Sequence, residues 1–391
     1  MKKSIFFASV IFLLAAAFSF FPDLFGAITY SRNSESKEII SKEKKSPVIP
    51  PLDREIYDQK LQILANNPPP LGYSSTGEAP PSETKIVKNP ETGEEETVVV
   101  EKPAPTYLWP ARHASQGDAG GPVKTDYPRD GAILPFKRIV AYYGNLYSTK
   151  MGALGQYPEE EMLSRLAIEV KKWEMTDPQT PVLPALHYIA VVAQGSAGSD
   201  GKYRARMPSS EIEKVLVMAE KINAIVFLDI QVGFSTVEKE VPLLEKYLKL
   251  PNVHLGIDPE FSMKSGIPPG KIVGTVDATD INFAAEYLAK LVKENNLPPK
   301  ILVIHRYTQK MVTNYQKITP LPEVQIVMHM DGWGIKAKKI NTYKQFIYPE
   351  PVQFTGFKLF YKNDTLEPGT SIFTPEELLK LNPRPIYIQY Q

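Results

Sequence analysis

From residue 138 to the end of the chain, short apolar runs alternate with longer segments in which apolar residues recur at helical spacing. The short runs are rich in β-branched and aromatic residues, which favour strands. Several runs are apolar on both faces, as strands of a parallel sheet are, so the pattern leaves open which alternate residues face the interior. Eight strands are predicted, over residues 138–143, 182–192, 224–230, 253–257, 300–305, 324–330, 354–361 and 385–390.

The segments between these strands carry the start signals of helices. Ser210 and Glu213 have the spacing of a capping box, which predicts a helix that begins at this point. Thr374, Pro375 and Glu377 supply an N-cap, a first-turn proline and an acid at the third helical position.

Strands that alternate with helices predict βα units and a parallel sheet. Eight such units in about 250 residues is the size of a (β/α)8 barrel, so we predict an α/β fold of the TIM-barrel type over residues 136–391. A doubly wound open sheet is the alternative, but it calls for a Gly-rich phosphate loop after its first strand. The sequence Tyr142-Tyr143-Gly144-Asn145 at that position is not such a loop.

The residues before the barrel divide into two segments. Residues 1–30 combine Lys2 and Lys3 with a run of apolar or small residues from Ile5 to Phe21. This pattern is typical of a signal peptide or membrane anchor, so we expect an exported protein, secreted or anchored on the extracytoplasmic face through this segment. Residues 31–135 are predicted to be a Pro-rich, largely disordered linker, in which residues 84–87 and 96–100 flank a turn-like stretch that suits a small hairpin.

Charge and composition exclude several classes of function. The 391 residues include 45 Lys+Arg and 44 Asp+Glu, a formal net charge of +1, so nothing favours a nucleic-acid partner. There is no cysteine, which excludes disulfides, thiolate metal ligands and thiol nucleophiles. The Gly-x-Ser-x-Gly motif of serine acyl transfer is also absent from the sequence.

The carboxyl ends of the strands in a (β/α)8 barrel hold the active site, and polar or aromatic residues end every predicted strand here. We predict Asp229, Asp258 and Glu260 as the catalytic residues. The predicted substrate-binding residues are Tyr143, Asn145, His187, Gln231, His305, Tyr307, Asp331, Trp333, Lys358, Tyr361, Gln389 and Tyr390. Trp333 suits stacking on a sugar ring, and packing against a neighbouring loop explains it equally well.

Asp258 and Glu260 are separated by one proline at the end of the fourth strand. In an extended strand both side chains would point to one side, about 6.5 Å apart along the backbone. Clustered acids raise one another's pKa, and a carboxylic acid kept neutral in this way can protonate a glycosidic oxygen. The seventh strand has no carboxylate to act as a nucleophile, which favours an inverting or substrate-assisted route.

Two strand ends resemble those of known families. Gly256-Ile257-Asp258-Pro259-Glu260 is similar to the Asp-x-Glu strand end of family 18 chitinase-like and family 25 lysozyme-like barrels, and Ile388-Gln389-Tyr390 resembles the Trp-Gln-Tyr ending of the lysozyme group, with Ile in place of Trp. The resemblance implies a β/α barrel acting on a glycan, with Glu260 as proton donor and Asp258 as its electrostatic partner.

Three hypotheses follow. The first is a glycoside-hydrolase-like barrel that acts on a cell-envelope or extracellular glycan by general acid catalysis, without a cofactor. The second is a catalytically silent barrel that binds a glycan or a protein at the same rim. The third is a metal-dependent envelope hydrolase, but its candidate ligands have no recognised spacing, so we predict no metal. Those candidate ligands are His187, His305, His329, Asp229, Asp258, Glu260 and Asp331.

Overall fold

The computed structural model describes residues 49–64, 83–88, 95–100, 126–347 and 352–391. The predicted signal or anchor at residues 1–30 and most of the predicted linker lie outside these ranges. Across the described ranges, no helix is both long enough and apolar enough to span a bilayer. Both segments of the predicted hairpin form strands, Glu83–Lys88 and Glu95–Val100, which pair antiparallel.

Eight parallel strands form a closed barrel. Each pairs with the next along the chain, and β8 pairs with β1, so the sheet has no free edge. This closure confirms the predicted TIM-type fold, with strand bounds within two residues of those predicted. The strands are β1 (Arg138–Gly144), β2 (Val182–Ala193), β3 (Ile225–Ile230), β4 (Val253–Ile257), β5 (Lys300–Arg306), β6 (Val324–Met330), β7 (Phe354–Leu359) and β8 (Tyr387–Tyr390).

Helices cover most connections on the outside of the barrel. They are α1 (Arg54–Leu64), α2 (Ala153–Gln156), α3 (Glu159–Thr176), α4 (Ser209–Lys221), α5 (Val237–Glu240), α6 (Glu245–Leu248), α7 (Ala278–Asn295), α8 (Lys336–Thr342) and α9 (Pro375–Leu378). The connection from β5 to β6 differs from the ideal repeat, because it has no α-helix. It contains the short 3₁₀ turns Gln309–Met311 and Tyr315–Lys317 and a two-residue strand, Val312–Thr313, which pairs parallel with Val276–Asp277.

The two predicted helix starts have different outcomes. At the start of α9, Thr374 is the N-cap, Pro375 is in the first turn and Glu377 is at the third position, as predicted, and Thr374 and Glu377 form a capping box. The capping box predicted for Ser210 and Glu213 is wrong, because α4 begins one residue earlier, at Ser209, after a Pro208 N-cap that has no side-chain cap hydrogen bond. The fixed φ of a proline suits the entry to a helix, and the carbonyl of Pro208 accepts from the backbone N–H of Glu211 at 3.0 Å.

Alternate residues of each strand face the interior of the barrel and the surrounding helices. On β1, Ile139 and Ala141 join the interior apolar cluster, whereas Val140 and Tyr142 pack with residues of the helical layer. The apolar interior cluster ends part of the way up the barrel. Above it, toward the carboxyl ends of the strands, the interior side chains are polar and buried.

Helix α1, which the linker prediction did not include, packs at the amino-terminal end of the barrel. Leu64 is buried in the interior cluster, and its carbonyl accepts from the backbone N–H of Arg384, 2.7 Å away, shortly before β8. Lys60 donates to the carbonyl of Gln179, 3.0 Å away, shortly before β2. The helix therefore covers the end of the barrel opposite the predicted active site.

Truncation of Leu64 tests this docking. We expect Leu64→Ala to lower the free energy of unfolding by about 2–4 kcal/mol, because it removes a buried side chain from the barrel core. Ile63→Ala is the matched control, since Ile63 is 36% exposed, and it should cost less than about 1 kcal/mol. Denaturant unfolding measures both values. Equal losses would mean that Leu64 does not anchor α1.

Candidate active site

The carboxyl ends of the barrel strands bring together most of the predicted site residues. Each strand, or the short segment that follows it, contributes at least one side chain to this end of the barrel. Nearly all of these side chains are buried. The residues of this cluster are Tyr143, His187, Asp229, Gln231, Asp258, Glu260, His305, Tyr307, Asp331, Lys358 and Gln389.

Asp229, on β3, lies at the centre of the cluster and is fully buried. Its Oδ2 accepts a hydrogen bond from the Tyr143 hydroxyl, 3.0 Å away. Its Oδ1 lies 3.4 Å from Nε2 of His187 and 3.6 Å from Nε2 of His305. One carboxylate thus faces a phenol on one side and two imidazoles on the other.

The two histidines are each held by a second partner. Nδ1 of His187 lies 2.6 Å from the Tyr387 hydroxyl, which also accepts from Nε2 of Gln389 at 2.9 Å. Nδ1 of His305 lies 2.8 Å from Oδ2 of Asp331. These contacts set the orientation of each ring, so that both Nε2 atoms point toward Asp229.

Lys358, on β7, adds a cationic side chain to the cluster. Its Nζ lies 2.8 Å from Oδ1 of Asp331 and 3.8 Å from the centre of the Tyr143 ring. The ammonium group is thus engaged by one carboxylate and one aromatic face, and it supplies the positive charge of this layer.

Asp258 and Glu260 do not continue strand β4. The strand ends at Ile257, and Pro259–Phe261 forms a 3₁₀ turn, so the predicted extended arrangement of the two acids is wrong. Asp258 instead caps the turn, because its Oδ1 accepts from the backbone N–H of Glu260 at 3.1 Å. Its Oδ2 accepts from Nε2 of Gln231 at 3.0 Å.

The four acids of the site separate into two protonation classes. Burial raises the pKa of Glu260 to about 8, with a further contribution from Asp258, although a hydrogen bond from Tyr307 opposes the rise. Burial also raises the pKa of Asp258 to about 7. At neutral pH these two groups therefore hold protons for a substantial part of the time.

The other two acids, Asp229 and Asp331, are ionised. Burial acts to raise the pKa of Asp229, but the imidazoles of His305 and His187 outweigh it and hold the pKa below its usual value. Burial is likewise outweighed at Asp331, where Lys358 and then His305 hold the carboxyl pKa well below its usual range. The site therefore combines two acids that hold protons, Asp258 and Glu260, with two that are ionised, Asp229 and Asp331.

Four predicted residues lie outside this cluster. Asn145 shapes the loop after β1, where its Nδ2 donates to the carbonyl of Ile189 at 3.0 Å. Tyr361 and Tyr390 lie outside the barrel wall against α3, because Tyr361 donates to Glu169 and Tyr390 accepts from Nε1 of Trp173. Trp333 is 37% exposed near the rim, with Nζ of Lys338 4.9 Å from its ring centre.

Sequence reasoning missed Tyr387 and Gly256. Tyr387 holds His187 from below, and a Cβ at Gly256 would lie 2.4 Å from Oδ1 of Asp229 and 2.6 Å from Nε2 of His187. The signal was the period of two: Tyr387 shares the parity of Gln389, and Gly256 that of Asp258. It went unused because the sequence analysis left open which alternate residues of each strand face the interior.

The metal candidates also separate in the structure. His187, Asp229 and His305 each offer one ligand atom, and these atoms lie within 4.8 Å of one another. Among the described residues, His329, Asp258, Glu260 and Asp331 do not join this group. His329 is fully buried, and neither of its ring nitrogens has a hydrogen-bond partner in the described part of the chain.

Comparisons with known proteins give similarities to solved structures only. No protein-family model and no curated protein matches the chain. A mannanase from Bacillus subtilis aligns at 11% identity with a TM-score of 0.35, covering 66% of this chain and 80% of that chain. A GH18 chitinase from Pseudoalteromonas aurantia aligns at 12% identity with a TM-score of 0.33, covering 65% and 94%. A dihydropteroate synthase from Burkholderia cenocepacia aligns at 9% identity with a TM-score of 0.31, covering 66% and 86%.

The raised pKa of Glu260 predicts a pH-dependent stability. A carboxyl that titrates near 4.3 in the unfolded chain and near 8 in the folded protein binds more protons when folded between these values. Its contribution is therefore present at low pH and is lost as pH rises toward 8. We expect the free energy of unfolding of Glu260→Gln, relative to the parent, to rise between pH 5 and 8, by at most about 1.4 kcal/mol per pH unit.

Urea unfolding at four pH values measures this difference. Glu286→Gln, which removes a solvent-exposed carboxylate from α7, is the control and should change the free energy of unfolding by less than about 0.5 kcal/mol throughout. If the free energies of unfolding of the parent and of Glu260→Gln changed equally with pH, Glu260 would not be protonated in the folded protein at neutral pH.

Proposed function

We propose that the protein is an exported, glycoside-hydrolase-like barrel that acts on a cell-envelope or extracellular glycan by general acid catalysis. The observation that carries the proposal is the cluster that Glu260, a half-buried residue whose carboxyl pKa is raised, forms with Asp258 and with the ionised Asp229 and Asp331. Glycosidic cleavage needs a proton for the leaving oxygen and negative charge near the cationic sugar ring.

Glu260 is the proton donor in this proposal. Among the four clustered acids, Glu260 is the residue that is half-buried while the other three are buried, so we take it as the one that a substrate at the rim reaches. The Tyr307 hydroxyl donates to it and orients it. With a pKa of about 8, most of the Glu260 population carries a proton at neutral pH, as a general acid must.

Asp258 is the electrostatic partner of Glu260. Gln231 and the backbone N–H of Glu260 hold its two oxygens, so the distance between the two acids is set by the 3₁₀ turn and not by side-chain freedom. When Glu260 gives up its proton, its carboxylate becomes negatively charged. Repulsion between this charge and the carboxylate of Asp258 favours the return of a proton to one of the two acids.

The two ionised acids of the cluster, Asp229 and Asp331, would stabilise the sugar cation. Asp229 and Asp331 carry negative charge inside the barrel, and their neighbours His305 and Lys358 partly balance it. Because β7 carries Lys358 and no carboxylate, the proposal uses an inverting or substrate-assisted route, in which β7 supplies no nucleophile. The exposed face of Trp333 near the rim provides an apolar surface for a sugar ring.

The cellular location belongs to the same proposal. Lys2 and Lys3, followed by the run from Ile5 to Phe21, support export, with the segment retained as an anchor or removed as a signal. A glycan substrate outside the cytoplasm fits this location, and the partner we propose is therefore a carbohydrate polymer of the envelope.

The test incubates the purified chain with chitin oligomers, peptidoglycan and neutral polysaccharides and counts new reducing ends. Glu260→Gln should lower kcat by about 10²-fold or more, because a general acid contributes that much. Glu238→Gln, which changes an exposed acid on α5, should keep the parental kcat. The parental rate should fall as pH rises through about 8, where Glu260 loses its proton.

Two results would overturn parts of the proposal. If Glu260→Gln released reducing ends at the parental rate, Glu260 would not be the acid. If no substrate were cleaved and both proteins bound the same glycan equally, the protein would be a catalytically silent binding barrel.

A further inference from the structure

Three ligand-type atoms inside the barrel converge without hydrogen-bond partners. Nε2 of His187, Oδ1 of Asp229 and Nε2 of His305 are fully buried, and none makes a hydrogen bond within the described part of the chain. A buried polar atom without a partner costs free energy, so three of them aimed at one point need a common explanation.

The distances between these atoms are too long for hydrogen bonds and suit a shared ion. Oδ1 of Asp229 lies 3.4 Å and 3.6 Å from the two imidazole nitrogens, beyond the usual range for a nitrogen–oxygen hydrogen bond. Ligands bound at about 2.0–2.1 Å in a tetrahedral zinc site lie about 3.3 Å apart. The two measured separations are close to that value.

The opposite side of each of the three groups is already engaged. His305 contacts Asp331 through Nδ1, His187 contacts the Tyr387 hydroxyl through Nδ1, and Asp229 accepts from Tyr143 through Oδ2. Metal-binding histidines usually use the other ring nitrogen in this way, on a carboxylate, a carbonyl or a similar group. These outer contacts fix the remaining lone pairs toward one centre.

A glycine lets two of the ligand groups lie close to the backbone of β4. Gly256, next to Asp229 across the β3–β4 pair, has no side chain at the point where the ligand atoms meet. A Cβ there would lie 2.4 Å from Oδ1 of Asp229 and 2.6 Å from Nε2 of His187. Any residue larger than glycine would therefore displace the two groups.

We propose that His187, Asp229 and His305 bind one divalent transition-metal ion, of which Zn²⁺ is the test case. Two imidazoles and one carboxylate form a nitrogen and oxygen set that suits zinc and related ions. The absence of cysteine is compatible with such a set. Three protein ligands leave a coordination position for water, as in catalytic rather than structural zinc sites.

This site is separate from the acid that the proposed function uses. Glu260 lies outside the group of ligand atoms, whereas Asp229, whose negative charge the proposed function also uses, belongs to it. The glycan assay of Glu260→Gln and the metal titration of the parent chain still give separate answers, because neither readout depends on the other. The readout here is metal binding alone.

The experiment uses the full chain, freed of metal by a chelator and dialysed, then titrated with Zn²⁺ by calorimetry. Bound zinc per chain is then measured by plasma mass spectrometry. We expect one Zn²⁺ per chain, and X-ray absorption of the bound ion should show two imidazoles and only nitrogen or oxygen ligands. No stoichiometric binding by the parent chain, or binding without imidazole, would overturn the proposal.

Variants locate the ion. Asp229→Asn, which preserves the side-chain shape, should weaken Zn²⁺ binding by at least 100-fold, and Asp331→Asn, which acts through His305, by about 10- to 100-fold. His329→Gln removes a buried histidine outside the ligand group, and Glu260→Gln removes the proposed acid; both should retain parental affinity. His113→Ala removes the one histidine outside the described residues and should also bind as the parent does.

Circular dichroism and gel filtration establish that each variant is folded. Parental affinity in a folded Asp229→Asn variant would overturn the assignment, and so would loss of binding in His113→Ala alone. If Asp229→Asn does not fold, the X-ray absorption of the parent chain decides by the number of imidazoles on the ion.

Discussion

The ionised carboxylate of Asp229 lies fully buried inside a closed barrel, and the rest of the site is arranged around it. A buried charge without compensation costs several kcal/mol, so the surrounding side chains must supply donors or opposite charge. Tyr143 supplies a donor, and His187 and His305 supply ring nitrogens that are themselves held by Tyr387 and Asp331. A substitution at Asp229 would therefore alter its contacts with Tyr143, His187 and His305. It would also affect the residues that hold the two histidines, Tyr387 and Asp331.

All four acids of the site are affected by burial, but their pKa values shift in opposite directions. Those of Asp258 and Glu260 are raised, and those of Asp229 and Asp331 are lowered. Asp331 has Lys358 and His305 beside it, so ionisation is favoured there. At Glu260, burial raises the carboxyl pKa, Asp258 and Asp331 add to the rise, and the opposing effects of Tyr307 and Lys358 are smaller, so the proton is retained. The difference in protonation thus arises from where the few positive groups are placed, on β5 and β7, and not from the acids themselves. This placement is what makes a proton donor and a negatively charged cavity possible within one barrel mouth.

The sequence predicted the barrel better than it predicted the site. Strand runs were visible because β-branched and aromatic residues cluster in them, and rim residues were visible because polar side chains interrupt those runs. Parity was not visible in strands that are apolar on both faces. Tyr361 and Tyr390 were therefore expected at the mouth, whereas the structure places them against α3. The end of the fourth strand was predicted at Ile257, but the 3₁₀ turn that follows it depends on the Asp258 cap.

What the sequence by itself determined is the alternation of strands and helices, the absence of thiol chemistry and the set of polar residues at the strand ends. These are local properties, because spacing along the chain sets which elements form. Only the tertiary structure decided that β8 closes on β1, that α1 covers the opposite end, and that Asp229 faces His187 and His305 at 3.4 Å and 3.6 Å. Such contacts join residues far apart in sequence, and their geometry depends on the register and tilt of a closed sheet, which no single strand encodes.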